Sequence, residues 1–150
     1  IHINMDERLR KKLYLGGLLV LGLTIIQLVL GTQVREVIDV LKGAEDLTAR
    51  STWIEEIGRS FTIHRSFSWL VMIAGLYLGY LVVKNDTDPL IAKLVHANFG
   101  LIVLQITAGV ILEYFHMPPA FQVIHLVGIA VMVSVQFLLL LVLKMRTNLD

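Results

Sequence analysis

Two histidines in this chain stand in matching surroundings. His64 follows Ile63 in FTIHRSFSWLVM and His125 follows Ile124 in FQVIHLVGIAVM, each at the head of a long apolar run. A neutral imidazole is a good ligand for transition metals, and helix bundles commonly hold metals and cofactors between facing helices. Two imidazoles on opposite faces of a haem give six-coordinate, low-spin iron, suited to electron transfer or a structural haem and closed to oxygen. The chain has no cysteine, which removes disulfides, thiolate metal sites and covalent haem attachment through Cys-x-x-Cys-His. Arg65 adjoins the first histidine, and Arg35 lies upstream; their guanidinium groups match the geometry of carboxylates such as haem propionates. The expectation is one buried haem with His64 and His125 as iron ligands and Arg35 and Arg65 near its propionates.

The elements that must position these residues are set by composition. At 150 residues, 56% hydrophobic and 17% charged, with mean hydropathy +0.75, the chain is too apolar for an ordinary water-soluble domain. A net charge of +1 offers no broad basic surface, so nucleic acid is excluded as a partner and the lipid bilayer is expected. Apolar runs at about 13–33, 63–83, 94–114 and 123–143 each approach the ~20 residues a helix needs to cross a bilayer. Backbone groups in lipid must be satisfied internally, so helices are the form expected. The fold class is therefore an all-α membrane protein, a single four-helix transmembrane domain over 1–150 with no linker rich in Gly or Ser.

Charge placement orients the bundle. Arg8, Arg10, Lys11 and Lys12, then Lys84 and Lys93, then Lys144 and Arg146 fall on one side if the spans alternate, and the positive-inside rule makes that side, with both termini, cytoplasmic. The long connection at about 34–62 carries Arg35, Lys42, Arg50 and Arg59 against Glu36, Asp39, Glu45, Asp46, Glu55 and Glu56, and its stretches EVIDVLKG and TWIEEIGR suggest a short interfacial helix. The chain opens Ile-His-Ile-Asn, which suggests a trimmed product or one part of something longer. Its first apolar run has a spanning length rather than that of a cleaved signal.

Depth and repetition pair the histidines. His64 lies 20 residues before Lys84 and His125 lies 19 before Lys144, so both sit near the outer face. Gln27-Leu-Val-Leu-Gly31 precedes Ile63-His64 as Gln105-Ile-Thr-Ala-Gly109 precedes Ile124-His125. Two helix pairs thus share one plan, and a rotation about the membrane normal would set the histidines opposite each other. Gln27, Gly31 and Arg35, like Gln105, Gly109 and Glu113, follow at i, i+4 and i+8 and share one side of a helix. Ser68 and Gly128, one turn beyond the histidines, would let a flat ring or a helix approach closely. Plainer readings serve for other residues. His2, His96 and His116 read as boundary residues, Gln27 and Gln105 as interhelical hydrogen-bonding groups, Glu113 as an exposed helix end, and Trp53 and Trp69 as packing or interface belt. Arg35 and Arg65 also fit a role as interfacial anchors.

The segments LVLGTQVREVID, IHRSFSWL, VHANFGLIVLQITAGVIL and PPAFQVIHLVGIA, in this order from about Leu13 to Leu143, resemble the carboxy-terminal half of the haem A synthase family. Members oxidise haem O to haem A for cytochrome oxidase, and usually have eight spans in two similar halves, each with a histidine pair. The resemblance implies that His64 and His125 hold haem B, which relays electrons, and that haem O is the substrate of the complete enzyme. The catalytic amino-terminal half characteristically has a glutamate three residues before its first histidine and often a cysteine pair in its outer loop; here the first position is Phe61, and there is no cysteine. Catalytic residues are therefore not assigned in this chain. The resemblance implies as partners the other four-helix half, or a second copy of this chain, and an unidentified electron donor. It also implies a bacterial inner (plasma) membrane. The alternatives are a stand-alone membrane b-type cytochrome and a haem-free structural or assembly subunit.

Overall fold

The computed structural model describes residues 5–43 and 52–145. The expectations placed on His2, Glu45, Asp46, Arg50 and Arg146 lie outside these residues. Five helices follow one another: α1 (Glu7–Gly43), α2 (Trp53–Ile57), α3 (Arg59–Lys84), α4 (Pro89–Tyr114) and α5 (Pro119–Met145). The described residues contain no strand, and α1, α3, α4 and α5 are each long and apolar enough to cross a membrane.

All four long helices outrun their apolar cores. The largest difference is in α1, which runs for 37 residues, so EVIDVLKG continues the first helix instead of forming one of its own. Nothing between Gln33 and Gly43 breaks a helix, and Arg35 and Asp39 pair at i, i+4 across 3.0 Å. TWIEEIGR does form a separate short helix, α2. Gly58 joins it to α3 at φ 58°, a left-handed value that glycine adopts at little cost. Asp88 caps α4, accepting from the amides of Leu90 (2.8 Å) and Ile91 (3.3 Å), with Pro89 at the first helical position.

The long helices form a ring in which α1 and α4 each pack against both α3 and α5. This places α3 and α5, the two histidine-bearing helices, on one diagonal. Adjacent glycines let α1 meet both neighbours closely: Leu78 of α3 lies over Gly16 and Leu140 of α5 over Gly17. At the end carrying both described chain ends, here the basic end, Leu13, Val20, Leu78, Ile91, Val95, Leu139 and Leu143 make a continuous core. Val71, Ile102 and Met132 continue it upward. At the far end Trp53 and Ile57 of α2 close over Val34, Ile38, Leu112 and Met117. Leu15, Ile73, Val83 and Leu126 are among many large apolar side chains facing outward, as lipid contact requires.

Candidate functional site

A cavity of about 810 Å³ lies between the central and terminal core clusters, lined by all four long helices. Its size falls within the ~300–1,000 Å³ usual for small-molecule and cofactor sites. His64 and His125 both line it, their ring centroids 6.4 Å apart and their planes at 80°. The diagonal placement of α3 and α5 thus brings the two rings opposite each other across the bundle axis, with their planes nearly perpendicular.

The rings fit a shared metal centre. With metal–nitrogen bonds of about 2.0–2.1 Å and ring nitrogens about 1.1 Å from their centroid, two imidazoles on opposite sides of one ion have centroids about 6.3 Å apart. The observed spacing agrees. Nδ1 of each ring is buried without a formed hydrogen bond, whereas Nε2 of each is not sealed off in this way. The rings are thus turned so that the ligating lone pair can belong to Nε2. No group of three or more His, Cys, Asp or Glu side chains gathers among the described residues. Two neutral imidazoles in an apolar cavity suit an iron whose remaining ligands come from a macrocycle.

Each ring lies in a shallow notch of the partner helix in its pair. A Cβ on Gly31 would stand 3.2 Å from Cε1 of His64, and one on Gly109 would stand 3.8 Å from Cε1 of His125. The Gln27 amide donates to the main-chain oxygen of His64 at 2.9 Å, the interhelical role expected of it. Gln105 departs from that expectation. Its buried amide has no partner and is tucked against Gly128, so the open side of Gly128 belongs to this side chain and not to a ring.

Arg35 and Arg65 line the mouth, and the structure gives each a protein partner. Arg65 Nη1 donates to Glu113 Oε1 at 2.6 Å, bridging α3 and α4. Arg35 binds Asp39 and donates from Nη1 to Gln122 Oε1 at 2.9 Å, bridging α1 and α5. A guanidinium has five N–H donors, so both retain capacity for a carboxylate. Glu113, expected as an exposed helix end, has a side chain only 17% exposed and lines the cavity. His96 is exposed in the basic half of α4, away from the pair, and His116 sits in the turn between α4 and α5.

Sequence reasoning missed Met117 and Gln122. Met117 takes a left-handed φ of 58° directly after His116 at 57°, is 3% exposed and lines the cavity. The Gln122 amide donates to its carbonyl at 2.8 Å, which ties the turn to α5. Two consecutive non-glycine residues in this region leave no local signature. Trp69 proves to be a cavity-lining side chain that also faces outward.

Comparison with known families matches residues 2–137 to the model COX15-CtaA, described as cytochrome oxidase assembly protein. No curated protein and no solved structure matches the chain.

Proposed function

This chain belongs to the COX15-CtaA family of cytochrome oxidase assembly proteins, the haem A synthase family, and we propose that within it His64 and His125 hold one b-type haem that relays electrons. Membership places the chain in haem A synthesis; the haem type, its ligands and its relay role are our reading. The observation that carries it is the pair of imidazoles facing each other at the spacing two ligands of one metal require.

When bound, the haem would supply one-electron chemistry. The chain's own residues do the rest. His64 and His125 would hold the iron from opposite helices and so tie α3 to α5 across the bundle. Val71, Ile102 and Met132 exclude water on the basic side. Arg35 and Arg65 at the mouth balance the negative charge of the propionates. Phe61 is a partly buried cavity-lining ring where the catalytic half of the family would carry a carboxylate, which favours relay over oxidation here. Oxidation of haem O is then the work of a second four-helix unit with its own histidine pair. In a bacterial inner membrane the basic end faces the cytoplasm and the histidine pair lies near the outer face.

Purified protein should carry about one haem B per chain, with a reduced low-spin absorption band. Absence of that band after growth with added haem precursor would refute the reading. Conversion of haem O to haem A by this chain alone would refute the assignment to relay.

A further inference from the structure

The Gln-x-x-x-Gly sequence occurs in both helix pairs, and in each the glycine faces the histidine of the partner helix. A Cβ at residue 31 would stand 3.2 Å from the nearest ring atom, tighter than ordinary contact, and one at residue 109 would stand 3.8 Å away, in ordinary contact, so only a larger side chain there would meet the ring. The His64 ring stands against Gly31, with Nδ1 3.7 Å from a Cβ built there, the His125 ring stands against Gly109, and Nδ1 of each ring is buried with no other partner. In a helix the carbonyl of residue i points toward residue i+4. The carbonyls of Gln27 and Gln105 therefore point along their helices toward Gly31 and Gly109, where the missing side chain leaves them open to the ring. A histidine that binds metal through one nitrogen almost always donates its other N–H to a carbonyl, carboxylate or water.

We propose that Gln27-Gly31 and Gln105-Gly109 are matching histidine cradles, in which the main-chain carbonyl of the glutamine accepts from Nδ1–H and the glycine gives the ring room to reach it. This proposal rests on the haem reading above. The cradle fixes the tautomer that leaves the Nε2 lone pair facing the cavity and makes each imidazole a stronger electron donor. Glutamine and glycine act as positioning residues, and the repeated motif is accounted for by the main chain. The Gln27 side chain adds a second tie, through its amide to the His64 carbonyl. Gln105 makes no such tie, so the two cradles share only the glycine and the carbonyl.

The test uses the full chain in detergent, titrated with haem B and poised electrochemically. Gly31→Val and Gly109→Val should each weaken haem affinity on the order of 10–100-fold, as loss of a ligand's supporting hydrogen bond does. Both should also raise the midpoint potential of the haem retained. Gly31→Ala should show a smaller effect of the same sign, and Gly109→Ala none, because only the first meets a ring atom at less than ordinary contact distance. Alanine favours helix over glycine, so thermal stability before haem addition should hold or rise in the alanine variants. Falling affinity with intact stability separates positioning from folding. Gln105→Leu keeps the carbonyl and removes an amide that makes no tie to His125, so it should leave the potential near that of the parent. A shift as large as in the valine variants would assign the role to the side chains and overturn the cradle. Unchanged affinity and potential in Gly31→Val and Gly109→Val would also overturn it while leaving the haem reading intact. A parent protein that takes up no haem B would overturn both.

Discussion

Gln136→Leu removes the donor of two hydrogen bonds that join three long helices in the apolar interior. Gln136 Nε2 on α5 donates to Thr24 Oγ1 on α1 at 3.0 Å and to Asn98 Oδ1 on α4 at 2.8 Å. The three residues are 2%, 0% and 1% exposed, so water cannot replace the lost partner. Interhelical hydrogen bonds within membranes average about 0.6 kcal/mol and reach about 1.7 kcal/mol, so two together contribute roughly 1–3 kcal/mol. Leucine nearly conserves the volume, which keeps the cavity contribution small. Asn98, whose Nδ2 is already unpartnered, would then lack partners at both ends of its amide. The thermodynamic asymmetry gives a second arm. Replacing all members by apolar residues of similar shape, as in Thr24→Val, Asn98→Leu, Gln136→Leu together, removes the stranded groups and can be nearly neutral. Reversible unfolding by SDS in mixed micelles, followed by far-UV circular dichroism, should show the single variant less stable by roughly 1–3 kcal/mol and the triple variant largely restored. A single variant as stable as the parent, or a triple variant weaker than the single, would refute this account of the node.

Three further outcomes follow from the geometry. Arg65→Leu should lower haem affinity by removing a cation from the cavity mouth, while Glu113→Gln should change protein stability by less than about 1 kcal/mol, since the Arg65 end of the pair is 60% exposed and solvent weakens it; haem titration and unfolding curves read the two effects, and an Arg65→Leu protein with parental affinity would count against propionate contact. Imidazole planes at 80° would bring close in energy the two iron d orbitals that share three electrons in low-spin ferric haem, so ferric protein should give a strongly anisotropic low-spin EPR signal with one large g value; the ordinary rhombic signal of near-parallel planes would contradict that arrangement. Gly58→Ala should destabilise the α2–α3 junction by about 1–3 kcal/mol because φ 58° with ψ −122° is a conformation that a side chain disfavours, and unchanged stability would show that the turn relaxes freely.

The spans were legible because apolar length is a strong signal, and the histidine pairing because depth and the repeat pointed the same way. Both are one-dimensional properties. What failed depended on rotation about helix axes and on neighbours distant in sequence. EVIDVLKG has the pattern of a helix whether separate or continuous; the decisive fact was the absence of a breaker before Gly43. Glu113 looked like an exposed end because its partner, Arg65, is 48 residues away. Thr24, Asn98 and Gln136 are isolated polar residues on three helices, and only packing brings them together. The Gln105 amide gave no hint that it would fill the space beside Gly128. Met117 was hidden because its placement comes from a left-handed turn in HMPP that no residue type there demands.

The most direct test of the central claim is the reduced-minus-oxidised absorption spectrum of purified His64→Ala, His125→Ala and His96→Ala proteins. His64 and His125 face each other across the cavity, whereas His96 lies exposed in the basic half of α4. Loss of the low-spin haem band in the first two variants, with the His96→Ala band equal to that of the parent, is the predicted result. A full low-spin band in either His64→Ala or His125→Ala would contradict the account.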